Sequence, residues 1–123
     1  MLAESRRDPS LECCGLLAGS AGVISAIFPA QNVHATPETA YEIAPNDLFR
    51  LFREIREQRL ELLAIYHSHP SSENVPSPTD IERAYYPDVT YFIVSPRLNA
   101  KKHIRAFRIR DAHAEELIIE IAE

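Results

Sequence analysis

The chain has only two cysteines, and they are neighbours, Cys13 and Cys14. A disulfide between adjacent residues is strained and rare, so the pair reads as two free thiols in a reducing compartment, packed as small apolar residues on a strand. No Cys-x-x-Cys pair is present, which excludes zinc ribbons and thioredoxin-type exchange. No apolar run approaches the length that crosses a bilayer. The first eight residues are polar and lack the apolar segment of a secretory signal, so a cytoplasmic protein with no membrane partner is expected. Basic residues are in deficit: 13 Lys and Arg stand against 18 Asp and Glu, for a formal net charge of −5. Phosphate backbones are bound by basic faces, so nucleic acid is not expected as a partner. Arg97, Lys101, Lys102 and Arg105 do gather in one stretch, and read as a solvated turn and strand end. Internal repeats and linkers are also missing, so a single domain over residues 1–123 is expected.

What is present alternates between two periods. Residues 12–19 and 23–28 have strand character and flank the turn Gly19–Ser20–Ala21–Gly22, which predicts a hairpin ended by Pro29. A short helix precedes it and stops before Pro9. A helix opening at Asn46 or Asp47 is the clearest element, because Leu48, Leu51, Phe52 and Ile55 form one apolar stripe. Leu62–Leu63–Ala64–Ile65–Tyr66 reads as a central strand buried on both faces. A short helix over residues 78–85 follows, then a strand over 89–94. Two further strands over 104–109 and 117–121 are joined by a turn near Asp111. The class is α/β or α+β, a mixed sheet flanked by helices.

The central strand runs into Tyr66–His67–Ser68–His69–Pro70, and the chain then reaches Ser77–Pro78–Thr79–Asp80. His67 and His69 are at i and i+2, so on an extended strand they share a face and can reach one ion. The intervening residues have loop composition, rich in Ser and Pro, which lets Asp80 return toward them. Two imidazoles and a carboxylate suit a catalytic zinc with three protein ligands and an open position for water. The same donors suit iron or manganese, so the metal's identity stays open at this point. Ser77 also reads as a helix N-cap, with Pro78 at the first helical position and Asp80 closing a capping box. That role is compatible with metal binding, since a carboxylate in a first helical turn is firmly held. His34, His103 and His113 lack ligand spacing, and of these His34 is the one candidate for a substrate groove.

Those residues resemble the JAMM (MPN+) metallopeptidases. Their pattern is a distant glutamate, then His-Ser/Thr-His, seven residues, Ser, two residues and Asp. Here Glu12 precedes Cys-Cys-Gly-Leu-Leu-Ala-Gly, His67–Ser68–His69 is followed after seven residues by Ser77, and Asp80 comes after two more. The resemblance covers most of the chain, extends to Tyr91–Phe92–Ile93–Val94–Ser95 and, loosely, to the segment around Asn32. It implies a cytidine-deaminase-like curved sheet, one zinc per chain, and His67, His69 and Asp80 as its ligands. Glu12 would then be the general base, Ser77 the donor to the oxyanion, and Ser68 would point away from the metal. The implied reaction is hydrolysis of an amide after the C-terminal Gly-Gly of a ubiquitin-like or sulfur-carrier protein, as in small prokaryotic members. The implied substrate is an extended tail in a groove beside the metal. Homodimerisation stays open. The alternative is a non-catalytic scaffold that binds a protein partner, but scaffold members generally lose metal ligands and none is lost here. Nucleoside deaminases need His-x-Glu and Pro-Cys-x-x-Cys, which this chain lacks.

Overall fold

In the computed structural model, which describes residues 1–121, the elements follow in the order α1 (Leu2–Arg7), β1 (Cys14–Ser20), β2 (Val23–Ala30), α2 (Pro45–Glu57), β3 (Glu61–Ser68), α3 (Pro78–Glu82), β4 (Thr90–Val94), β5 (Ile104–Arg110) and β6 (His113–Leu117). The strands form one sheet in the order β2-β1-β3-β4-β5-β6. Every neighbouring pair is antiparallel except β3 and β4, which run parallel and have α3 in their connection. β3 is therefore interior, paired on both sides, and its last five residues are buried.

Alternation along the strands splits the core into two faces. Leu16, Phe28, Ile65, Ile93 and Phe107 join Leu51 and Ile55 of α2 on one face. Leu17, Ala64, Tyr66, Phe92 and Ala106 form the other, where Met1 packs and the Tyr66 hydroxyl donates to the Glu4 carboxylate of α1 at 2.5 Å. Two-residue turns make both hairpins tight. Ala21 and Gly22 have φ of 52° and 76°, and Asp111 and Ala112 have φ of 51° and 61°, a pairing of left-handed residues that matches strand twist.

Four boundaries differ from the sequence reading. Pro29 does not end its strand, which runs on to Ala30 paired with Cys14. β2 is an edge strand, where a missing N–H costs no ladder bond. α2 begins at Pro45, whose fixed φ suits a first helical turn, and Asp47 accepts the Gln31 N–H instead of capping the helix. α3 stops at Glu82, three residues before the expected end. Its C-cap is Arg83, whose carbonyl accepts the Tyr85 N–H at 2.9 Å, a contact outside the helical ladder. The last strand is His113–Leu117 and not residues 117–121, because the two-residue turn fixes Arg110 opposite His113. Ile118 and Ile121 are left exposed beyond it.

Candidate active site

β3 carries His67 within the strand and His69 just beyond it. The His69 N–H donates to the Val94 carbonyl at 2.9 Å, which prolongs the parallel pairing past both residues. The side chain of Ser68 lies on the opposite face, as expected. Its Oγ accepts the Cys13 N–H at 2.9 Å while its own N–H donates to the Cys13 carbonyl at 3.0 Å. That exchange pins the start of β1 beside the histidines, and so fixes Glu12. The Glu12 N–H donates to Pro37 at 2.8 Å and its carbonyl accepts from Asn32 Nδ2 at 2.9 Å.

Asp80 arrives through the first turn of α3. Ser77 Oγ accepts the Asp80 N–H at 3.0 Å, and Asp80 Oδ2 accepts the Ser77 N–H at 2.9 Å, the reciprocal capping box read from the sequence. The same Oδ2 lies 3.2 Å from His67 Nε2 and 3.0 Å from His69 Nε2, and the two Nε2 atoms are 3.1 Å apart. Three donor atoms thus form a nearly equilateral triangle, and capping and convergence are served by one carboxylate.

The Glu73 carbonyl is only an acceptor, so the 2.8 Å contact to His69 Nδ1 places a proton on that nitrogen. In the neutral ring, Nε2 then presents a lone pair toward its two neighbours. Tetrahedral zinc with bonds of about 2.0–2.1 Å separates its ligand atoms by about 3.3 Å, close to the edges observed. The donor set and its spacing fit a divalent cation. Tyr41 stacks on the His67 ring at 4.4 Å and 21°, which orients a histidine whose Nδ1 has no hydrogen-bond partner.

Electrostatics follow from burial and this cluster. Burial pushes the Glu12 carboxyl up to about 8, with His69 opposing and the Asp80 charge adding to the rise. Glu12 Oε1 is buried without a hydrogen-bond partner. Burial would also raise Asp80, but the two imidazoles outweigh it and hold that carboxyl far below the usual range. His67, wholly enclosed, is lowered by burial against the pull of Asp80. For His69, burial is outweighed by Asp80 and the Glu73 carbonyl, and the net shift is upward.

A recess of about 260 Å³ opens beside Asp80, lined by Tyr41, Ile43, Leu48, Arg83, Tyr85 and Tyr91 among others. His34 does not line it. Its Nδ1 instead accepts the Thr36 N–H at 3.0 Å. Asn32 and Asn74 were not singled out in the sequence as site residues. Asn32 Nδ2 donates to Glu12 and Ala40, and its Oδ1 accepts from His34 and Glu42. Asn74 ties the segment between His69 and Ser77 to the Ile93 and Lys102 carbonyls. Apart from the His34 N–H two residues on, their partners lie 8 or more residues away, for which no local signal exists.

The model of prokaryotic homologs of the JAB domain matches residues 1–110. A desampylase of Haloferax volcanii is 43% identical over 91 residues, covering 72% of this chain and 66% of its own. A CysO-cysteine peptidase of Mycobacterium tuberculosis is 33% identical over 125 residues, covering 100% of this chain and 85% of its own. Among solved structures, one from Desulfitobacterium hafniense superposes with a TM-score of 0.87 at 27% identity, covering 100% of this chain and 86% of that one. A JAB1/MPN domain protein from Archaeoglobus fulgidus superposes with a TM-score of 0.64 at 18% identity, covering 99% and 90%, which is a likeness of fold. The resemblance read from the motif, and the mixed sheet flanked by helices, are borne out. Among the described residues no helix is long and apolar enough to cross a membrane.

Proposed function

We propose that this chain, which belongs to the prokaryotic homologs of the JAB domain, is a zinc-dependent peptidase acting as a single domain. It hydrolyses an amide after the C-terminal Gly-Gly of a ubiquitin-like or sulfur-carrier protein. The relatives are named as peptidases and desampylases, which supports a hydrolytic enzyme with that class of substrate. The observation that carries the reading is the convergence of His67, His69 and Asp80 within 3.0–3.2 Å, with a buried, unpartnered glutamate close by.

His67, His69 and Asp80 would hold the metal. Zinc in that position supplies Lewis acidity and lowers the pKa of water toward neutrality, so that hydroxide is available near pH 7. Glu12 takes the proton of the attacking water and delivers it to the leaving amine. In the metal-free chain burial already pushes this carboxyl up to about 8, so its protonated form is accessible near neutral pH. The Ser77 oxygen already accepts the Asp80 N–H, and its hydroxyl proton is directed to the oxyanion that develops on the scissile carbonyl. The recess beside Asp80 takes the extended tail, and its aromatic walls exclude water from the peptide. Two free thiols, Cys13 and Cys14, support a cytoplasmic location.

The test is a carrier of ubiquitin fold joined through its terminal Gly-Gly to a short peptide, incubated with the zinc-loaded protein. Intact mass is expected to show the carrier ending at Gly-Gly, with Glu12→Gln slower by about 10²–10⁴. A folded, zinc-loaded protein that cuts no substrate of this kind contradicts the reading.

A further inference from the structure

Beyond the His67, His69 and Asp80 triangle, a second recess of about 400 Å³ opens beside Glu73 and Asn74. Arg97, Lys101, Lys102 and Arg105 line it, together with Glu73 and Asn74. Arg105 is neutralised by Glu116, with contacts of 2.6 and 3.0 Å. Arg97, Lys101 and Lys102 have no ion-pair partner among the described residues, and Glu73 is the one acid in the lining. A chain whose net charge is −5 thus presents here a patch of opposite sign. Leu98 stands at the tip of the same loop and is 91% exposed.

The loop is built as part of the site. Its neck is closed by the Ser95 N–H donating to the His103 carbonyl at 2.8 Å and by His103 Nδ1 on the Ser95 carbonyl at 3.0 Å. Asn74 Nδ2 donates to the Lys102 carbonyl at 3.0 Å, and the neighbouring Glu73 carbonyl accepts from His69 Nδ1. One run of hydrogen bonds therefore links a metal ligand to the basic loop. Glu73 and Asn74 line the recess and follow His69 by four and five residues, so a body resting on that loop borders the segment that carries the histidines.

We propose that residues 95–103, with Arg105, form the surface on which an acidic ubiquitin-like carrier rests its globular body while its tail is cut, an inference that rests on the carrier-tail reading above. Charge complementarity at a rim sets encounter rate and partner choice, and a protruding leucine adds an apolar contact at its centre. No aromatic ring lines the recess, so the stacking platform of a single-stranded nucleic acid site is missing.

The test titrates isotope-labelled protein with a ubiquitin-fold sulfur carrier of acidic pI ending in Gly-Gly, followed by amide chemical shifts, beside the variant K101E/K102E. Both lysines are exposed, so the fold is kept, and unchanged zinc content checks this. Shifts are expected at residues 95–105. Affinity should fall at least about tenfold in the variant, and likewise between about 0.05 and 0.5 M salt. In turnover, the variant should lose more kcat/KM on the carrier conjugate than on a tail peptide alone, chiefly through KM. Shifts confined elsewhere, equal affinity in the variant, or no carrier binding at all would overturn the surface. So would tighter binding of an RNA oligonucleotide by the same loop. Cleavage of the tail peptide by the wild-type protein is read separately, so loss of this inference and loss of the peptidase reading remain distinct.

Discussion

Glu12 sets a charge against the fold that encloses it. The residue is 5% exposed, and burial pushes its carboxyl from 4.5 to about 8. Between those values the folded, metal-free protein binds more protons than the unfolded chain, so Glu12 lowers stability progressively as pH rises through that window. Glu12→Gln removes this slope. The metal-free variant should melt above wild type by a margin that grows from about pH 5 to pH 8 and reaches at least about 4 °C. Parallel melting profiles would mean that the carboxylate is solvated after all. His67, His69, Asp80 and Ser77 were legible as a group because strand alternation and a capping box each have a local spacing. The histidine pair is two residues apart, and the box spans Ser77 to Asp80. Glu12 has a signal only in the family resemblance, since a glutamate at a strand start ordinarily faces solvent. Tyr41, Asn32 and Asn74 have no local signal, because the contacts that tie them to the site, to His67, Glu12 and the Ile93 and Lys102 carbonyls, are long-range. The Asn74–Lys102 bond alone spans 28 residues.

At the scale of elements, the β1–β3 contact decides whether the site is assembled. Gly15 lies where β1 passes between β2 and β3. A Cβ there would sit 2.5 Å from the Phe28 carbonyl and 2.5 Å from the Tyr66 hydroxyl. One of these is backbone and the other is fixed by Glu4, so neither can yield cheaply. Gly15→Ala should cost about 1–3 kcal/mol in a denaturant titration, and should disturb Glu12 through the shifted strand. A cost near zero would show that β1 can move without harm. The apolar stripe of α2 and the buried run of β3 were legible because each has a clear period. The ends of α3 and β6 were not. The first ends at Glu82 with no capping residue to mark it in the sequence, and the second is set by a two-residue turn whose left-handed geometry takes precedence over Ile118, Ile119 and Ile121.

Over the whole molecule, the topology gathers chemistry at one end of the sheet. The parallel β3–β4 pair brings the end of β3 beside the loop after β4, and antiparallel pairing of β1 brings its start to the same place. Glu12, the two histidines and the basic loop therefore converge from segments up to about 90 residues apart, a non-local arrangement. The overall charge was legible from composition, but its segregation was not. The cations of residues 97–105 read as a solvated turn until the fold closed them around a recess. The central claim is that His67, His69 and Asp80 hold a divalent metal. Elemental analysis of the purified protein beside Asp80→Ala tests it most directly. About one zinc per chain, lost in the variant, is the expected result. No metal after incubation with zinc, or equal metal in both proteins, would contradict it and leave Asp80 as a helix cap beside two histidines.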